Sequence, residues 1–186
     1  IVDFQILHWN DFHGELVEHV IDGTWVPGAA RLAAYVKEEQ AKYESSQSLL
    51  LDAGDWYEGS AYSRPTRGEK VMEFYKLLGV DATTVGNHEF FFGMPRFYQV
   101  AGDAAPIDIL SANFRQDGLN GACSDRRILS PYKIYEVGKD QAPKLRVAVI
   151  GVSVGNLETL VYNETWSAGI CFQSPASSII EIYDEL

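Results

Sequence analysis

Apolar residues along the chain fall into short blocks that alternate between strand-like runs and helix-period stripes. Phe4–Trp9 reads as an opening strand, and Ser48–Asp52, centred on Leu49-Leu50-Leu51, as a buried one. Between them Leu32, Tyr35 and Val36 recur at helical spacing in a segment running from Pro27 to about Tyr43. Val71, Phe74, Tyr75 and Leu78 form the i, i+3, i+4, i+7 stripe of an amphipathic helix, and Gly79 is placed to end it. Asp81–Val85 predicts a third strand, followed by a weaker helical stretch around Pro95–Ala101. Ile107–Ala112 and Leu145–Val152 read as further strands. Ser174-Pro175 supplies an N-cap and a proline at the first helical position, and Ile179, Tyr183 and Leu186 continue that helix. The alternation predicts an α/β domain with crossover connections and a largely parallel sheet. One stretch breaks the rhythm: Asn113–Tyr132, rich in Gly, Asn, Asp and Arg, reads as a long surface loop before a hairpin-like strand, Lys133–Val137.

Composition narrows the function classes. At 186 residues, with 46% hydrophobic and 12% aromatic residues, the chain suits a single domain, 1–186, with a sizeable core. No apolar run approaches the ~18–20 residues needed to span a bilayer. A formal charge of −11 repels nucleic-acid polymers and acidic membrane surfaces, so a small phosphorylated substrate would need a local source of positive charge. The chain opens on Ile1 without an initiator Met, and its last helix runs uncapped to Leu186, which leads us to expect a processed or excised segment. Cys123 and Cys171 match no zinc-site spacing and are either two small buried hydrophobes or one disulfide, the latter if the chain is exported. Asn163-Glu164-Thr165 fits an N-glycosylation acceptor, a triplet that also arises by chance.

Polar clusters rich in metal-binding side chains follow the first, second and third of these strands. In Asn10-Asp11-Phe12-His13-Gly14, an extended backbone would turn Asp11 and His13 to the same side, where a carboxylate and an imidazole can meet one cation. In Asp52-Ala53-Gly54-Asp55, Gly54 lets the chain turn and Asp55 can bridge two cations ~3.5–4 Å apart. In Gly86-Asn87-His88-Glu89, Asn87 offers a neutral oxygen and His88 a general acid or electrostatic stabiliser. Each cluster is weak alone. In order, each at the carboxyl end of a strand where α/β sheets bind ligands, they are far more specific.

Ile6-Leu7-His8-Trp9-Asn10-Asp11-Phe12-His13-Gly14, Asp52-Ala53-Gly54-Asp55 and Gly86-Asn87-His88-Glu89-Phe90 resemble the first three motifs of calcineurin-like metallophosphoesterases. More narrowly, they resemble the branch of 5′-nucleotidases, cyclic-nucleotide phosphodiesterases, UDP-sugar hydrolases and apyrases. The likeness extends to Ser111-Ala112-Asn113 and Val147–Val152. It implies the N-terminal portion of a four-layer α/β/β/α sandwich and metal-dependent hydrolysis of phosphate esters, with a nucleotide as the expected substrate. It implies two divalent metal ions; the mixed donor set suits Zn, Mn, Fe or Co about equally. Asp11 and His13 would bind the first, Asp55 would bridge, Asn87 would bind the second, and His88 would stabilise the transferring phosphoryl group. A secreted, periplasmic or cell-surface location is the matching expectation.

The sequence departs from the family pattern in two places. Of the histidines at 8, 13, 19 and 88, none follows His88, whereas family members carry later histidines that complete both metal spheres. The expectation is accordingly an incomplete catalytic domain without the family's C-terminal substrate-binding domain. Phe91 stands where the family usually places an Asp that orients the catalytic histidine, so the expectation is a His88 without support. A non-catalytic metal- or phosphate-binding remnant is therefore the rival reading, and a dimetal hydrolase of sulfur or sugar-phosphate substrates a third. The remaining polar residues have plainer readings. His8 is expected to be a hydrogen-bonded core histidine, His19 solvated in a polar connection, and Asp52 a structural acceptor at its strand end. Asn10 is expected to tie down its own loop, Glu89 to be a ligand or base only as a minority reading, and Arg64, Arg67, Arg126 and Arg127 to be surface charge.

Overall fold

A computed structural model describes residues 2–118, 122–140, 143–155, 157, 160 and 169–186. Its central sheet is parallel. β1 (Gln5–Trp9) pairs with β4 (Ser48–Asp52), with Leu7 opposite Leu50 and Trp9 opposite Asp52. β5 (Ala82–Thr83) follows on β4, and β6 (Asp108–Ile109) on β5, giving the order β1-β4-β5-β6. The crossovers are helical: α1 (Ala29–Gln40) links the first pair, α2 (Ser63–Thr66) and α3 (Glu69–Leu78) the second, and α4 (Met94–Gly102) the third. Each major helix covers the segment its apolar spacing predicts to within a few residues, and the α3 C-cap is Gly79 in the left-handed conformation.

Packing follows from strand alternation. Leu7, Trp9 and Leu50 turn toward the helices and join Val36, Val71, Tyr75 and Phe97 in one core; Trp9 Nε1 donates to the Tyr75 hydroxyl at 3.0 Å. The opposite face, carrying His8, Leu51 and Ala82, borders a cavity of about 280 Å³ closed by Val149 and Ile150. Those two residues belong to β10 (Leu145–Ile150), which pairs antiparallel with β9 (Tyr132–Val137). His8 is exposed on this face, not the core histidine expected from its place in the strand. His19 opens β2 (His19–Ile21), which forms a hairpin with β3 (Thr24–Val26), and its Nδ1 lies 3.3 Å from Glu15.

The segment expected to be a long surface loop carries two strands. β7 (Phe114–Asp117) is the middle strand between β8 (Cys123–Arg127) and β11 (Ile170–Phe172), all antiparallel. The segment's polar composition hides the strands because Arg115 and Arg127 are neutralised by acids far along the chain. Arg115 is 3% exposed and pairs with Glu181 of α5 (Pro175–Glu185), and Arg127 pairs with Glu185 at 2.7 Å. Among the described residues pairing is thus mixed, parallel in the central sheet and antiparallel in the other three. Cys123 and Cys171 form a disulfide, Cα–Cα 5.3 Å, joining β8 to β11. Asn113, fully buried, ties these layers together: its amide nitrogen donates to the carbonyls of Ser153 and Gln173, and its oxygen accepts from the Ser153 amide at 2.8 Å. The Asn163-Glu164-Thr165 triplet lies outside the described residues.

Two predictions come from these interior contacts. The disulfide closes a separation of 48 residues, which in the chain-entropy picture stabilises by about 3–4 kcal/mol. Reduction and alkylation should lower the denaturant midpoint accordingly, with intact mass confirming one bond. Asp52 accepts from Thr83 Oγ1 at 2.5 Å and Gly54 N at 3.2 Å, the structural role expected of it, and burial pushes its carboxyl up to about 7. A carboxyl raised in the folded state binds more protons there than in the unfolded chain. Its stabilisation is therefore complete below about pH 4 and lost as pH rises through about 7. In metal-free urea titrations, Asp52→Asn should gain on the wild type between pH 4 and 8 by on the order of 2–4 kcal/mol; a constant difference across that range would contradict this.

Candidate metal centre

The loops after β1, β4 and β5 meet at one end of the parallel sheet. The first is hung on the second by main-chain bonds that extend the β1–β4 pairing: Asp11 N to Gly54 O at 3.0 Å, His13 N to Asp55 O at 2.9 Å and Gly14 N to Trp56 O at 3.1 Å. These loops are not extended. Asp11, His13 and Asp55 have φ of 54°, 48° and 54°, in the left-handed region that side chains rarely adopt. The same-side placement of Asp11 and His13 therefore does not come from strand alternation as expected. It comes from left-handed residues fixed by the neighbouring loop. Backbone of this kind clusters where surrounding structure over-determines it, commonly at functional sites.

Within this frame His13, Asp55 and His88 each bring a donor atom within 4.8 Å of the others. Each imidazole is held by its other nitrogen. His13 Nδ1 lies 2.9 Å from the Glu58 carbonyl, which can only accept, so Nδ1 carries a proton and Nε2 is the nitrogen turned to the cluster. His88 Nδ1 lies 3.2 Å from Oε2 of the Glu58 carboxylate, which leaves its Nε2 free in the same way. His88 thus has a carboxylate partner after all; the expectation that Phe91 leaves it unsupported is corrected by Glu58, thirty residues upstream. The rings cross edge to face with centroids 4.3 Å apart. Asp55 is anchored too, accepting from the His88 amide at 2.9 Å. A Cβ on Gly86 would collide with Asp55 Oδ1, so only glycine lets that carboxylate lie against the third loop.

Asp11 sits at the rim, its side chain 53% exposed and 3.5 Å from His13 Nε2, with Asn10 donating to its other oxygen. Asn87 is half-buried at the head of the short turn that carries His88. A cleft of about 710 Å³ opens on the Asp11 side, floored by Trp9, Phe12 and Leu32. It touches the cluster only at its edge, so the chemistry is located by the converging donors and not by cavity size. The site fits a divalent cation: an imidazole nitrogen beside a carboxylate, as at His13 and Asp55, is a donor pair such ions take, and second-nitrogen contacts of this type orient the imidazole.

Glu89 was the residue most underrated by sequence reasoning. It is fully buried and is neither at the rim nor facing the donors. Its carboxylate accepts from the amides of Asp55, Trp56 and Tyr57 at 3.1, 2.8 and 3.0 Å and from Gly86 at 2.6 Å. Burial pushes the carboxyl up to about 8 and the charge on Asp55 adds to this, while the Gly86 and Asp55 amides pull it down. No spacing rule could have found it, because its partners are backbone groups. The arginines separate as well: Arg64 pairs with Glu58, Arg127 with α5, and Arg67 lies 5.8 Å over the Phe92 ring.

Comparison with known proteins matches this arrangement. Residues 4–149 match the family model of calcineurin-like phosphoesterases. A snake venom 5′-nucleotidase from Gloydius brevicauda is 36% identical over 155 residues, which is 80% of this chain and 25% of the relative. Among solved structures, a 5′-nucleotidase precursor from Thermus thermophilus superposes with a TM-score of 0.76 at 29% identity, covering 97% of this chain and 34% of that one. The sulfate thiohydrolase SoxB of Thermus thermophilus superposes with a TM-score of 0.81 at 22% identity, over 98% of this chain and 41% of that one, a likeness of fold. The chain spans about a quarter of the length of the curated relatives it matches. By fold, motifs and match, the chain belongs to the calcineurin-like phosphoesterase family and lies with its 5′-nucleotidases.

Proposed function

We propose that this chain carries the first part of a dimetal centre that hydrolyses phosphate monoesters, with nucleotides as substrates. The observation that carries the reading is the convergence of His13, Asp55 and His88, with both imidazoles locked through Nδ1. Asp11 and His13 would hold one divalent ion, Asp55 would bridge and Asn87 would hold the other, with Zn, Mn, Fe and Co all suited to these donors. Bound there, the ions would activate a water molecule and neutralise phosphoryl oxygens. The protein's own part is to aim. Glu58 and Glu89 fix the donors before substrate arrives, and His88, when both ring nitrogens carry protons and the Glu58 carboxylate balances the charge, would donate Nε2–H to an equatorial phosphoryl oxygen. In a chain of net charge −11, bound cations are the positive charge that a phosphorylated substrate requires.

The nucleotide assignment is supported by the 5′-nucleotidase relatives, and an extracytoplasmic location by the snake venom relative and the disulfide. The remnant reading drew on Phe91 and on the lack of a histidine after His88, and the Glu58 contact removes the first of these supports. The test is phosphate release from a nucleoside 5′-monophosphate by the intact natural protein, with Mn or Zn supplied after chelation. Activity should disappear with chelation, return with metal, and fall at least about 100-fold in Asp55→Asn. Activity that survives both treatments would overturn the proposal.

A further inference from the structure

Glu58 is a buried acid with an unusual set of partners. Its side chain is 2% exposed, and a carboxylate so placed is costly unless paired. One oxygen takes the Arg64 Nε, and the other faces His88 Nδ1 at 3.2 Å. Its own carbonyl takes His13 Nδ1 at 2.9 Å. One residue therefore grips both imidazoles of the cluster from behind, by main chain on one and side chain on the other. Phe91, exposed at 49%, offers no group to an imidazole, but its ring lies 5.8 Å beneath the Arg64 guanidinium. That is cation–π range, so Phe91 steadies the arginine that steadies Glu58.

We propose that Glu58 is the positioning residue for His88, aimed by an Arg64–Phe91 latch, so that the carboxylate supporting the histidine is delivered from the second loop and not from position 91. The proposal rests on the reading above, in which His88 faces the phosphoryl group. Glu58 holds the proton on Nδ1 and fixes the ring plane, which leaves Nε2 directed at the cluster. Phe91 is then a working part of the site, and the family's aspartate at that position is replaced in function as well as in sequence.

The experiment uses the intact natural protein. Glu58→Gln keeps the shape and removes the charge; it should lower kcat about 10–100-fold with KM little changed. Adding Phe91→Asp to Glu58→Gln should restore most of that loss, and in a His88→Ala background Glu58→Gln should cost nothing further. Phe91→Asp alone should give no acceleration. A second readout needs no turnover: nitrogen-15 imidazole spectra of the metal-free protein should show His88 protonated at Nδ1, and Glu58→Gln should shift that signal while leaving the urea midpoint near wild type. An unchanged His88 spectrum in Glu58→Gln, or acceleration by Phe91→Asp alone, would overturn the proposal. A protein with no phosphoesterase activity but the expected spectral change would instead overturn the functional reading and leave the Glu58–His88 contact standing.

Discussion

The candidate site depends first on one buried carboxylate. Glu89 gathers the amides of Asp55, Trp56, Tyr57 and Gly86, and so binds the loop after β4 to the loop after β5. The loop after β1 hangs in turn on the β4 loop through the Asp11, His13 and Gly14 amides. Burying an acid is unfavourable, and the upward push to about 8 records that cost. Several amide donors converging on one carboxylate offset it, and the result is a rigid clasp at the point where the donors meet. Left-handed backbone at Asp11, His13 and Asp55 persists because this clasp leaves the loops nowhere else to go.

A second layer of acids then aims what the clasp has placed. Glu58 holds the second nitrogens of His13 and His88, while Glu89 holds only backbone. Neither turns its carboxylate into the cluster. A strongly acidic chain thus uses buried carboxylates as scaffolding, while Asp55 and Asp11 lie against the imidazoles. Beneath them, Asn113 ties the segment after β10 to the segment after β11, and the Cys123–Cys171 bond staples β8 to β11 within the antiparallel sheet.

Much of this was legible in the sequence, for identifiable reasons. β1, β4 and α3 follow apolar period alone, and Ser174-Pro175 caps α5 by local chemistry, with Ser174 accepting from the Ser177 amide. The motif residues lie in the loops after β1, β4 and β5, but left-handed backbone and not strand alternation sets Asp11 and His13. What escaped was whatever depends on a distant partner. β7 and β8 looked like loop because Arg115 and Arg127 are neutralised by Glu181 and Glu185, more than fifty residues away. His8 reads as core from its strand neighbours, yet its face of β1 is open. Nothing in the sequence around Glu58 singles it out, and Glu89 draws only a minority reading as ligand or base; the fold brings an imidazole to one and a set of amides to the other.

Every donor at the site owes its position to the clasp. The direct measurement is calorimetric titration of Mn²⁺ into the wild type and Glu89→Gln, each checked for a cooperative unfolding transition. Glutamine presents an NH₂ group to amides that need an acceptor, so the loops should lose their register while the rest of the domain stays folded. The expected result is a cooperatively folded variant whose metal affinity falls about 10–100-fold. A folded Glu89→Gln that binds Mn²⁺ as tightly as the wild type would contradict the clasp.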